Sequence, residues 1–190
     1  MNVFFITHPD VEIDPQVPVP DWRLSARGRA RMAAGLRQPW AAGLRAIHCS
    51  TERKAIDGAE IFAGMLDLRV QTVAGLGEND RSATGYLPRD VFEALADAFF
   101  ASPDTSVRGW ERAVDAQVRI VAAVDAILAA PPPGPIAIVS HGGVGALLLC
   151  RLIGVPISRA QDQPPGSGGY WFAFDAATRE PAHGWRLLDD

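Results

Sequence analysis

Ile136-Ala137-Ile138-Val139-Ser140-His141-Gly142-Gly143 is the stretch whose reading decides the fold. Four consecutive apolar residues without alternation read as a short strand covered on both faces, the kind found at the centre of a parallel sheet. The run Pro131-Pro132-Pro133-Gly134-Pro135 before it stops any preceding helix. The break at residues 140–143 leads into a helix of about Val144 to Leu152. Working outward, Val3-Phe4-Phe5-Ile6 repeats the pattern at the N-terminus and ends abruptly at Thr7-His8-Pro9. Leu44 to His48 and Leu68 to Val73 are further strand candidates, and Tyr170 to Phe174 and Trp185 to Leu188 read as closing strands.

Helical patterns fill the gaps. Ser25 is placed to cap a helix of about Ala26 to Leu36, and Thr51 to cap one of about Glu52 to Leu66. Two more follow, Arg89 to Ala101 and Val107 to Ala130, after a polar loop from Glu78 to Leu87. Strands alternating with helices predict a three-layer α/β/α domain with a mainly parallel sheet. In such sheets ligands bind beyond the carboxyl ends of the strands. His8, Ser50-Thr51 and His141 all fall at such ends, so this architecture sets them on one rim.

Composition narrows the classes. The chain has 190 residues, 48% hydrophobic and 21% charged, and reads as one globular domain over residues 1–190. A net charge of −4 argues against a general nucleic-acid or anionic-membrane binder. No apolar run reaches a membrane span and no signal peptide is evident. With only Cys49 and Cys150 as thiols, the expectation is a reduced, cytoplasmic protein. No internal repeat and no phosphate-cradling glycine motif of a nucleotide binder is present.

A histidine directly after a buried strand, such as His8, can act as nucleophile, base or ligand, or can bond a neighbouring carbonyl as an ordinary loop residue. His141 precedes Gly142-Gly143, which let a ligand approach a helix N-terminus suited to anions. Lys54 is the only lysine against 17 arginines. In a first helical turn its charge opposes the helix dipole, so either its stem carries the ammonium into water or an anion sits beside it.

Together these segments resemble the histidine phosphatase superfamily, the phosphoglycerate mutase-like fold. The family's Arg-His-Gly motif is matched by Thr7-His8-Pro9, and its Ser-rich strand end by Cys49-Ser50-Thr51-Glu52-Arg53-Lys54-Ala55, with Lys54 at the arginine position. Its acidic loop is matched by Gly77-Glu78-Asn79-Asp80-Arg81 and its second His-Gly by Ser140-His141-Gly142. Leu24-Ser25-Ala26-Arg27-Gly28 resembles its first helix start. The resemblance implies that His8 attacks a phosphoryl group, His141 stabilises its oxygens, and Glu78, or Asp80 in the same loop, handles the proton. It implies no metal and no cofactor, and a small phosphorylated substrate bound by Thr7, Lys54, Arg81 and Gly142. Nothing in the sequence addresses oligomeric state.

Three departures stand out. Thr7 replaces a forked guanidinium with a single hydroxyl, Pro9 removes a backbone donor, and Lys54 keeps charge but loses bidentate geometry. Losing a preorganised donor typically lowers rate by roughly 10²–10³, with Arg81 the candidate to compensate. The expected activity is therefore phosphomonoester hydrolysis, slowed by these changes. The alternative is a phosphate- or phosphopeptide-binding module that kept the pocket and lost turnover.

Overall fold

The computed structural model describes residues 1–130 and 134–190; the first three prolines of the expected helix stop, residues 131–133, lie outside them. Among the described residues six strands form one sheet: β1 (Asn2–Thr7), β2 (Ala46–Cys49), β3 (Val70–Thr72), β4 (Ile136–Ser140), β5 (Tyr170–Asp175) and β6 (Arg186–Leu187), in the order β3-β2-β4-β1-β5-β6. The pairs β2–β3, β2–β4 and β1–β4 are parallel. β5 and β6 close one edge antiparallel.

Both faces are covered, which is why the central strands are apolar throughout. Val3, Phe5, Ile136 and Ile138 face one core, packed by α3 (Arg89–Ala101), α4 (Ala113–Ala129) and α5 (Gly142–Ile153). Phe4, Ile6, Ala137 and Val139 face the other, packed by α1 (Ala26–Ala34) and α2 (Arg53–Leu66). The three-layer α/β/α architecture with a mainly parallel sheet is as expected. No described helix is long and apolar enough to cross a membrane.

Two expected helices differ. The segment read as helical from Val107 is interrupted: Arg108 and Gly109 take left-handed backbone, φ 50° and 85°. Trp110 continues extended and is buried, its Nε1 donating to Thr84 Oγ1, and α4 starts only at Ala113. Periodicity alone missed this break because the apolar spacing runs on across it. The other difference is at α2, whose N-cap is Glu52, not Thr51, and carries no side-chain cap bond.

Ser25 does cap α1, its hydroxyl accepting the Gly28 N–H at 3.1 Å. Its own N–H donates to the Asp10 carbonyl at 3.0 Å. A Cβ on Gly28 would lie 2.1 Å from that carbonyl oxygen, so α1 seats directly on the chain two residues past His8. Gly28→Ala is expected to lower unfolding free energy by about 1–3 kcal/mol through overpacking. A urea midpoint equal to wild type would show that residue 10 can move aside.

Candidate active site

Parallel pairing brings three strand ends level. The His8 N–H donates to the Ser140 carbonyl at 3.1 Å, and the Ser50 N–H to the Val139 carbonyl at 3.1 Å. His8, Ser50 and His141 therefore meet on one rim of the sheet, and the imidazoles of His8 and His141 pack edge to face, 5.2 Å apart.

His8 is half-buried. Its Nδ1 lies 3.0 Å from the Pro9 carbonyl; a carbonyl only accepts, so Nδ1 carries the proton and Nε2 keeps a free lone pair. Burial pushes the His8 pKa down to about 4, with Lys54 adding to the effect. His141 is fully buried, and burial drives it well below its ordinary value, against the pull of Glu52. Its Nε2 lies 2.7 Å from Ser50 Oγ and 3.3 Å from Glu52 Oε1. Its Nδ1 has no partner among the described residues. Cys49, at the end of β2, is no rival nucleophile, because burial raises its thiol to about 12.

Glu52 is the residue that sequence reasoning missed. Its Oε1 accepts the Glu78 N–H at 2.8 Å and its Oε2 pairs with Lys54 Nζ at 2.5 Å. Burial opposes its ionisation, but the charges of His141 and Lys54 and these bonds prevail, holding the carboxyl at about 2. Since burial keeps His141 neutral, Lys54 and the hydrogen bonds do this near pH 7. Lys54, nearly buried, also donates to the Val19 carbonyl at 2.8 Å. The cation at the start of α2 is thus turned away from water and paired with a carboxylate that the protein itself supplies. A glutamate beside a lysine in a first turn carries no signal that separates this buried pair from a solvated one.

A cleft of about 570 Å³ opens above the rim. His8, Glu78, Arg81 and Gly142 line it, with Asp162 and Gln163 from the loop before β5. His141, Thr7 and Lys54 lie beneath its floor, all nearly or fully buried. Glu78 accepts the Gly143 and Val144 N–H groups at 3.1 and 3.0 Å, so its carboxylate caps α5. Asp80 is exposed, its Oδ1 accepting the Ser82 N–H, and does not line the cleft. The Arg81 guanidinium lies 4.9 Å from the Phe92 ring centroid and 5.7 Å from that of Trp110. Asp162 was not anticipated either; burial raises its pKa, and the charge of Glu78 adds to this. The loop at Gly168 and Gly169, both with positive φ, packs on the His8–Pro9 backbone, where a Cβ on Gly168 would meet the His8 oxygen at 2.2 Å. Among the described residues no group of three or more His, Cys, Asp or Glu is arranged to hold a metal.

A family model of the histidine phosphatase superfamily (branch 1) matches residues 7–169. Several solved structures are similar in fold. The mycobacterial glucosyl-3-phosphoglycerate phosphatase in complex with inorganic phosphate is 22% identical, with 98% of this chain and 94% of that one covered and a TM-score of 0.75. Bacillus stearothermophilus YhfR is 22% identical over 100% of this chain and 96% of its own, with a TM-score of 0.77. The alpha-ribazole phosphatase of Shigella flexneri is 19% identical, covering 100% and 96%, with a TM-score of 0.68. No curated protein matches the chain in sequence.

Two outcomes follow from the buried charges. A base with a depressed folded pKa contributes stability that is complete above its unfolded value and lost as pH falls toward the folded one. For His8 that window runs from 6.5 to about 4, so its ring signals in an NMR titration should move near pH 4; a midpoint near 6.5 would contradict the buried neutral imidazole. Lys54→Ala strands the Glu52 carboxylate and should lower unfolding free energy near pH 7 by about 3–5 kcal/mol. Adding Glu52→Gln should recover part of that loss, and a double variant no more stable than the single one would refute the coupling.

Proposed function

The chain belongs to the histidine phosphatase superfamily, and on that footing we propose that it hydrolyses a small phosphomonoester through a phosphohistidine on His8. The observation that carries the reading is the His8 ring, neutral and anchored through Nδ1 to the Pro9 carbonyl, with Nε2 free beside His141 at the cleft. In the first step the Nε2 lone pair attacks phosphorus and the ester P–O bond breaks. The leaving oxygen takes a proton from water, or from Glu78 when its carboxyl group is protonated. In the second step water attacks the phosphohistidine, the P–N bond breaks, and inorganic phosphate leaves with His8 restored.

Depression of the His8 pKa favours this chemistry, since an imidazolium has no lone pair to offer. His141 stabilises the phosphoryl oxygens from below, and Arg81 and Gly142 bind the substrate from the cleft wall. Lys54 acts at one remove, through the charge it shares with Glu52, and Thr7 through its bond to Gln163. In this reading the enzyme needs no metal or cofactor and works in the cytoplasm on a soluble substrate. One observation favours the second reading, a binding module without useful turnover. Lys54 is neutralised by Glu52, so neither position that holds an arginine in the family motifs offers an unpaired cation.

Protein quenched during turnover of p-nitrophenyl phosphate should carry a phosphate that is labile to acid and stable to alkali. His8→Ala should abolish both this label and turnover. Turnover with no such label would exclude the covalent route, and a label persisting in His8→Ala would move the nucleophile elsewhere.

A further inference from the structure

Gln163 stands in the loop between α5 and β5 and reaches back to the end of β1. Thr7 Oγ1 accepts the Tyr170 N–H at 3.0 Å, so its own proton is free to be donated. The nearer acceptor is Gln163 Oε1 at 2.7 Å; the Tyr170 carbonyl is at 3.3 Å. That bond sets the amide. Its oxygen turns inward to Thr7 and its nitrogen turns over Gly142, where an added Cβ would lie 2.4 Å from Nε2. A side chain at residue 142 would push the amide out of this position. Gln163 is further held by its backbone N–H, which donates to Asp162 Oδ1 at 2.8 Å. Gln163 lines the cleft with His8 and Gly142, and Nε2 has no hydrogen-bond partner among the described residues.

An amide nitrogen with two unused donors, set over the N-terminus of α5 in the cleft that His8 also lines, is suited to donate to anion oxygens. We propose that Gln163 is an anion-binding residue of this cleft, its Nε2 donating to an oxygen of the phosphoryl group held at His8, with Thr7 as the residue that positions it. The proposal deepens the hydrolase reading and rests on it for the nature of the anion. It gives the small hydroxyl at residue 7 a purpose: an arginine there would displace the amide, whereas threonine both satisfies Oε1 and leaves the donor facing outward. A neutral donor also suits its surroundings. Asp162 and Glu78 border the same space as acids, and Arg81 brings a positive charge to it.

The test is direct binding of inorganic phosphate and of orthovanadate by calorimetry, run beside turnover of p-nitrophenyl phosphate and thermal unfolding. Gln163→Leu should weaken phosphate binding roughly tenfold to a hundredfold, the range for a hydrogen bond to a charged group. Gln163→Glu keeps the shape and the bulk of the side chain but replaces the donor with a like charge, so binding should be lost while the thermal midpoint stays near wild type. Thr7→Val should weaken binding by a smaller factor, and Thr7→Ser, which restores the hydroxyl, should return it. Wild-type affinity in Gln163→Leu or Gln163→Glu would overturn the proposal and leave the hydrolase reading intact. Binding that depends on Gln163 in a protein that turns over no phosphomonoester would uphold the proposal and defeat that reading. Failure of the wild-type protein to bind either anion would defeat both.

Discussion

The level alignment of β1, β4 and β2 is the constraint on which the rest depends. Parallel strands share a direction, so their carboxyl ends finish on the same side, and the pairing Thr7 with Ser140 and Cys49 with Val139 sets those ends flush. A shift of one residue in β1 would exchange the side chains that Phe4, Phe5 and Ile6 place in the two cores and carry His8 out of level with His141, because side chains alternate faces with a period of two. The two hydrophobic cores therefore lock the register, and the register delivers His8 to His141. Ser140 adds a tie of its own: its hydroxyl donates to the Leu76 carbonyl at 2.7 Å, fastening the start of the segment that carries Glu78 to the end of β4.

Beneath the cleft the charges are arranged by pairing. Lys54 and Glu52 form a pair that burial would make costly to break but does not make strongly favourable as a whole. Glu52 also takes the Glu78 N–H, so the same carboxylate that neutralises Lys54 positions the acidic loop. A second pairing lies outside the site. Buried Asp57 receives Arg23, Arg29 and Arg53 and accepts the Leu24 N–H at 3.2 Å, joining α2 to the entry of α1. Arg53, immediately before Lys54, is thus committed to structure.

Strand ends and helix order were legible because apolar runs and breakers report them directly. Val3–Ile6 and Ile136–Val139 lie within β1 and β4, and Ser25 caps α1 as its residue type and place suggest. The histidines were legible for the same reason, being attached to strands whose ends the topology aligns. What could not be read were contacts made across long sequence separations by side chains of ordinary type. Glu52 looks like any glutamate before a helix. Gln163 lies in a Pro- and Gly-rich loop, where an amide is expected to face water, and only the fold brings it 156 residues back to Thr7. The break at Arg108–Gly109 was hidden likewise, because burial of Trp110 decides it and local propensity does not.

The neutrality of both imidazoles follows from this arrangement and is needed by it. Two histidines whose rings lie 5.2 Å apart would repel each other if both were charged, and a charged His8 would have no lone pair at Nε2. Burial is the leading influence on each. Lys54 reinforces it at His8, while Glu52 works against it at both rings. Were Lys54 absent, Glu52 would be free to draw a proton onto His141 or His8. The lysine at the family's arginine position therefore keeps a structural and electrostatic duty even without touching the cleft: it holds Glu52 as a satisfied carboxylate, and in doing so it leaves His8 as a neutral base at the head of β1.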